Sequence, residues 1–187
     1  MRRSMFPVFG AIATSVVLVG AATVPAANAA APDHAMGETT VVVDPALYAF
    51  LLSAGVSVAP TGSATAEAFE DTVAAVFSIT DITMDGNKLA HSGGLDFSAG
   101  EVNIEAKRYV IRLDLARVTA KVVGSEVGDA GRVPIFKIKD TDQPHLGAVK
   151  LVLTDTAAGA LNATFGIDDF VKGATFGYAT PEPEELS

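Results

Sequence analysis

Tyr109-Val110-Ile111-Arg112-Leu113-Asp114-Leu115-Ala116 is the most regular stretch of this chain. Tyr109, Ile111, Leu113 and Leu115 alternate with Val110, Arg112, Asp114 and Ala116. A period of two places one set of side chains on a core and the other on the opposite face, which is the pattern of a half-buried strand. Val118, Ala120 and Val122 continue the alternation, and Gly124 to Gly131 turns the chain. Phe136 and Ile138 then face inward while Lys137 and Lys139 face outward. Asp140 to Gly147 reads as a polar loop, followed by a strand carrying Val149, Leu151 and Leu153.

Upstream the same logic holds. Leu95, Phe97 and Ala99 alternate, Ala99-Gly100 turns, and Val102 and Ile104 resume. Phe77 and Ile79 share a face, but Ile82 and Met84 continue in the opposite phase. That shift of one residue predicts a bulge near Thr80-Asp81. Asp85-Gly86 is a hairpin turn signal. Pro60 to Glu67 reads as a loop, and Phe170 and Phe176 as a last extended segment.

Two strand–helix units flank this run. Thr39 to Val43 is β-branched and leads into Asp44-Pro45, a capping residue followed by a proline suited to the first helical turn. Leu47, Leu51 and Ala54 fall on one helical face, and Gly55 stops the helix. Leu151-Val152-Leu153-Thr154-Asp155 repeats the arrangement, with Asp155 as cap, a helix to Phe165 and a stop at Gly166. The helices are expected to plug the ends of the sheets. About eight short strands without strand–helix–strand alternation predict a mainly β fold. The expected architecture is an antiparallel β-sandwich or barrel-like domain with two short helices.

Met1-Arg2-Arg3, the apolar run from Pro7 to Val24 and the small-residue pattern Ala27-Asn28-Ala29 form a secretory signal peptide over residues 1–29. Residues 30–38 are expected as a flexible start, 39–180 as a single domain and 181–187 as an acidic tail. No later apolar run is long enough to span a bilayer, so no stable membrane insertion is expected once the leader is cleaved. The expected location is extracellular or cell-envelope associated.

The chain has a formal charge of −9, and removal of Arg2 and Arg3 leaves 11 basic against 22 acidic residues. Such a surface repels phosphate backbones and argues against nucleic-acid partners and against docking on anionic lipid. There is no cysteine, which excludes disulfides, thiol nucleophiles and thiolate metal sites.

Chemistry-bearing patterns are sparse. His34, His91 and His145 are far apart, and none has a partner at helical or strand spacing, so no metal site is expected. There is no Gly-x-Ser-x-Gly elbow and no phosphate-cradling glycine loop. No catalytic residues are assigned. One local pattern stands out: His91-Ser92-Gly93-Gly94-Leu95. Its glycines permit tight curvature or close approach of a ligand or of another backbone. His91 either bonds a backbone carbonyl in that corner or lines a pocket. Tyr109 and Tyr178 read as core or strand-edge residues.

His91 to Leu95, Val133-Pro134-Ile135-Phe136 and Leu161-Asn162-Ala163-Thr164-Phe165-Gly166 occur in that order, and over Thr39 to Thr180 the chain resembles exported actinobacterial HtaA-like, haem-transport-associated domains, whose members include proteins of unknown function. The resemblance implies a β-rich domain with helical plugs. In haem-binding members a tyrosine of the early helix ligates iron and a histidine supports it. The matching candidates are Tyr48 and His91, with haem as the candidate cofactor. Tyr48 lies two residues, about 200° of helix rotation, from Phe50.

The leading expectation is a secreted, non-catalytic binding or structural module of the cell envelope. Its partner would be an unidentified protein or a small apolar ligand. The alternatives are a haem-binding protein of an HtaA-type uptake system and a secreted hydrolase with an unrecognised site.

Overall fold

β1 (Gly37–Val43) is sandwiched between β4 (Thr72–Ile82) and β11 (Thr175–Pro183), antiparallel to both. The computed structural model of the 187-residue chain describes residues 35–83 and 87–184. The expected leader and the Asp85-Gly86 turn lie outside the described residues. Beyond β4 come β5 (Lys88–His91) and β7 (Val102–Arg112). Beyond β11 come β10 (Val149–Leu153), β9 (Gly128–Asp140) and β8 (Arg117–Gly124). β7 pairs with β8, so these eight antiparallel strands close into a barrel. Closure leaves no free edge along this ring, which is how such a fold avoids unpaired backbone groups.

Three strands lie off the ring. β6 (Gly94–Ala99) pairs with the first half of β7, β2 (Ser57–Thr61) pairs with β6, and β3 (Thr65–Phe69) pairs with β4. Pro60 to Glu67, expected as a loop, therefore contains the end of β2 and the start of β3. The paired sheet also reaches past the expected limits of 39–180, because Gly37 pairs with Pro183.

β7 shares one edge between two partners. Val102 to Lys107 bond β6, and Val110 to Arg112 bond β5. A bulge between Lys107 and Val110 marks the change, with Arg108 at φ 53°. The extra residue resets the inward phase from Ile104 to Tyr109 and Ile111, all buried. The bulge expected near Thr80-Asp81 is present between Ile79 and Asp81.

Leu113 and Leu115 do not continue the strand. β7 ends at Arg112, and Leu113 to Ala116 form the turn into β8, leaving Leu113 47% and Leu115 51% exposed. The Ala116 N–H donates to the Leu113 carbonyl, and Ala116 has φ 45°. Alternation in Leu-Asp-Leu mimics a strand, but the hairpin has to reverse before the pattern stops.

Both helices leave the same rim of the barrel. Val43 of β1 and Leu151 of β10 sit opposite the same residue, Gly177, and the chain enters a helix just beyond each. The two expected plugs thus sit at one end of the barrel. α1 (Pro45–Ser53) is capped by Asp44, whose Oδ1 accepts from the Ala46 and Leu47 N–H groups at 3.1 Å. α2 (Asp155–Phe165) is capped by Thr154, one residue before the expected Asp155. The Thr154 hydroxyl accepts from the Ala157 N–H at 3.1 Å and donates to the Pro134 carbonyl at 2.8 Å. Gly166 ends α2 in the left-handed region, as expected. Pro134 sits at an irregularity where β9 slips against β8, a position that needs no proline N–H.

Inside the barrel, Phe136 stacks on Phe176 with centroids 4.5 Å apart, and Phe97 meets Phe176 edge-on at 6.1 Å. Gly93 and Gly94 form the corner between β5 and β6. Gly93 has φ 76°, and a Cβ there would stand 2.5 Å from the Ala64 backbone nitrogen. A Cβ on Gly94 would stand 2.6 Å from the Ala106 carbonyl oxygen. The glycines serve backbone approach, and the Arg108 N–H donates to the Gly93 carbonyl at 2.9 Å in the same corner. Gly93→Ala is expected to cost about 2 kcal/mol or more, from a positive φ plus a backbone clash. A shift of the urea midpoint at unchanged slope measures it.

Candidate functional site

His91 is the last residue of β5 and points into the barrel, 4% exposed. Its Nδ1 lies 3.3 Å from the Tyr109 carbonyl oxygen. A carbonyl only accepts, so this contact places the proton on Nδ1. Nε2 then accepts from the Thr39 hydroxyl at 2.8 Å. The ring thus ties β5 to β7 and β1, and both nitrogens are engaged. Burial pushes its pKa down to about 4, against opposing hydrogen bonds to the Tyr109 and Leu89 backbone.

His91, Thr39 and Tyr109 line an otherwise apolar cavity of about 50 Å³ that runs past Phe77 and Ile111 towards Leu113, Ile138 and Pro181 at the uncapped rim. Tyr109 packs edge-on against Phe77 at 4.9 Å, and burial raises its phenol well above the ordinary range. A second interior cavity of about 70 Å³ lies under α2, between Phe97, Ile104, Leu153 and Leu161. Each holds a few water-sized groups at most. An eight-stranded barrel of this kind is filled by its own side chains.

The larger space is outside, on the capped rim. A groove of about 370 Å³ runs between Leu47 and Phe50 of α1 and Asp169-Phe170, with Leu153 in its floor and Asp44 at one side. Phe50 and Phe170 meet edge-on at 5.7 Å. Phe170 belongs to an irregular segment rather than to the expected extended one, and Asn162 of α2 holds it at both backbone groups. The Asn162 Nδ2 donates to the Phe170 carbonyl at 2.8 Å, and its Oδ1 accepts from the Phe170 N–H at 3.0 Å. The groove wall is therefore fixed by a side chain from the Leu-Asn-Ala-Thr-Phe-Gly motif. The volume falls in the range of small-ligand sites.

Tyr48 is half-buried on α1 and lines neither interior cavity nor this groove. Leu47 and Phe50, three apart, share the face turned to the groove, and the helical period rotates Tyr48 away from it. The structure thus brings His91 together with Thr39 and Tyr109, not with Tyr48. His145 is exposed in the loop after β9, and His34 lies outside the described residues. Tyr178 points outside the barrel wall, its hydroxyl donating to Asp142 Oδ1 at 3.2 Å. It packs with Val42, Ala74 and Leu146 in a small cluster on that face. Sequence reading missed the groove. Its only local signal is Leu47-x-x-Phe50, because the opposite wall depends on a contact between residues eight apart across the end of α2.

Among the described residues no group of three His, Cys, Asp or Glu is placed to hold a metal ion. No described helix is long and apolar enough to cross a membrane. In sequence, no protein-family model and no curated protein matches the chain. In structure, it is similar to the crystal structure of the C-terminal domain of HtaA from Corynebacterium glutamicum, with a TM-score of 0.51. The match covers 76% of this chain and 93% of that one at 13% identity. The chain has an HtaA-like fold. At that identity the HtaA likeness concerns architecture, and site chemistry has to come from this chain's own residues.

The buried His91 makes stability depend on pH with a definite sign. The unfolded imidazole takes up a proton below about pH 6.5, whereas the folded one resists until about pH 4. Between these values the unfolded state binds more protons, so stability falls as pH falls. The full loss is about 3 kcal/mol. In chemical denaturation from pH 7 to 4, His91→Gln is expected to remove that share of the slope. An identical slope in wild type and variant would mean that His91 is not held neutral.

Proposed function

We propose that the protein is a secreted, non-catalytic binding module of the cell envelope whose small apolar ligand seats in the α1 groove. The observation that carries this reading is the groove itself: about 370 Å³, walled by Leu47, Phe50 and Phe170 and braced by Asn162. The interior cavities are far smaller, and in the first of them His91 bonds the Thr39 hydroxyl and the Tyr109 carbonyl. Asp44 is committed to capping α1, which leaves Asp169 as the uncommitted carboxylate at the groove. That combination favours a ligand with an apolar body and a neutral or cationic polar end. Titration with the neutral dye Nile red tests the apolar site. Saturable binding is expected, with Phe50→Ala weakening it about tenfold, equivalent to about 1.4 kcal/mol. Equal affinity of the two proteins would place the ligand elsewhere.

A second reading is haem binding, with Tyr48 and His91 the candidate ligands that the resemblance to HtaA-like domains implies; Tyr48 does not line the cavity that His91 lines, so this reading requires a rearrangement around them. In this reading His91 has to give up Thr39 as its Nε2 partner. Ferric haem added stoichiometrically should then produce a shifted Soret band that both Tyr48→Phe and His91→Ala alter. A spectrum equal to that of free haem removes this reading and leaves the first intact.

A further inference from the structure

The basic residues of this acidic chain are gathered on one sector of the barrel. Lys88 of β5 lies directly opposite Arg112 of β7, Arg112 opposite Arg117 of β8, and Arg117 opposite Lys137 of β9. Each is flanked by an inward-facing residue, Leu89, Ile111, Val118 or Phe136, so all four stand on the outer wall. Lys139 faces Lys150 one step further on. Like charges directly opposite across strands are destabilising, and a row of four is an arrangement that folding alone disfavours. Two of the row are neutralised locally, Lys88 by Asp81 at 3.2 Å and Arg112 by Asp114 at 2.7 Å. Arg117, Lys137 and Lys139 are exposed and carry no ion pair among the described residues.

A second, independent feature lies at the same place. The turn between Arg112 and Arg117 carries Leu113 and Leu115, two of the four large apolar side chains that are exposed in the described structure. An apolar pair at a hairpin tip, set between cations, suits a surface with both an anionic plane and hydrocarbon beneath it. Across the ring, the same rim is acidic, with Glu38 of β1 facing Glu182 of β11, whereas Asp140, next to Lys139 at the end of β9, is an acidic residue inside the cationic sector. Net charge alone argues against anionic lipid, but here the charge is segregated, and the acidic side would tilt the barrel onto its β7–β8 edge.

We propose that the β7–β8 turn and the cationic row beside it form a docking surface for anionic lipid bilayers. Leu113 and Leu115 enter the interfacial region, and Lys88, Arg112, Arg117 and Lys137 lie along the headgroups. The contact is peripheral, and it does not depend on whether the α1 groove holds a ligand.

Sedimentation with phosphatidylglycerol–phosphatidylcholine vesicles tests it, using the protein in its exported form. Wild type is expected to sediment with these vesicles at low salt, to be released by 1 M salt, and to ignore pure phosphatidylcholine. Leu113→Ser/Leu115→Ser and Arg117→Glu/Lys137→Glu should each lower the partition coefficient at least tenfold. All four positions are exposed, and circular dichroism checks that the fold is kept. Polyphosphate in solution is the competing anion. Failure to bind phosphatidylglycerol vesicles at low salt overturns the proposal. So does tight polyphosphate binding together with vesicle binding that the leucine variant leaves unchanged, because the sector would then recognise a soluble polyanion.

Discussion

β7 has to satisfy two backbone edges with three partners, and the barrel is arranged around that requirement. One edge runs along β8 and closes the ring. The other begins on β6 and finishes on β5, two strands that form one line broken at Ser92-Gly93. The handover works because β7 carries one surplus residue at Arg108 while the partner side carries glycines. The surplus residue turns the strand's phase, and the glycines let the corner lie against Ala64 and Ala106 without a Cβ. His91 braces this corner from inside. Its ring bonds β7 through the Tyr109 carbonyl and β1 through Thr39. A histidine serves here because it supplies one donor and one acceptor on opposite sides of a flat ring. The His-Ser-Gly-Gly-Leu pattern is thus one device for passing a strand edge from one neighbour to the next.

Much of this was legible in the residues, for identifiable reasons. Phase shifts in an alternating pattern report bulges, so the break at Thr80-Asp81 could be placed without a structure. Helix ends carry local chemistry, so Asp44 and Gly166 read correctly. The expected cap Asp155 was one residue off, because Thr154 and Asp155 are both good capping residues and only the tertiary bond to the Pro134 carbonyl selects Thr154. Leu113 and Leu115 misled for a different reason. Alternation says that side chains point to opposite sides, but burial needs a neighbour on one of those sides, and a hairpin tip has none. The β2–β3 region was misread because its strands pair with distant β6 and β4 rather than with each other. His91 left two readings open because a corner and a pocket lining need the same residue types.

The site was less legible than the fold. A groove is a relation between surfaces, and Phe50 meets Phe170 across 120 positions of sequence. The cationic row is hidden more completely. Lys88, Arg112, Arg117 and Lys137 are scattered along the chain and look like ordinary solvated positions on alternating strands. Only strand register turns them into neighbours. Net charge pointed the other way, because a sum over the chain is blind to how a barrel sorts its charges by sector.

The division of labour between inside and outside follows from barrel size. Eight strands leave an interior that side chains can fill, and here Phe97, Phe136 and Phe176 occupy the middle while His91 and Tyr109 satisfy their polar atoms inside. Such a core buys rigidity and little room for a ligand. Variation useful for binding is pushed to the two rims, where chain leaves the ladder and side chains lose the constraint of alternate burial. One rim carries both helices because β1 and β10 run in the same direction, and two helices with a braced loop between them produce a groove. Among the described residues the other rim carries the β7–β8 turn, the loop after β9, the start of β1 and the end of β11, and a turn that exposes leucines between arginines costs the barrel nothing in packing. The same closure that makes the wall continuous therefore leaves the ends free to acquire separate surfaces, one a groove with aromatic walls and aspartates beside them, the other charged and tipped with leucine.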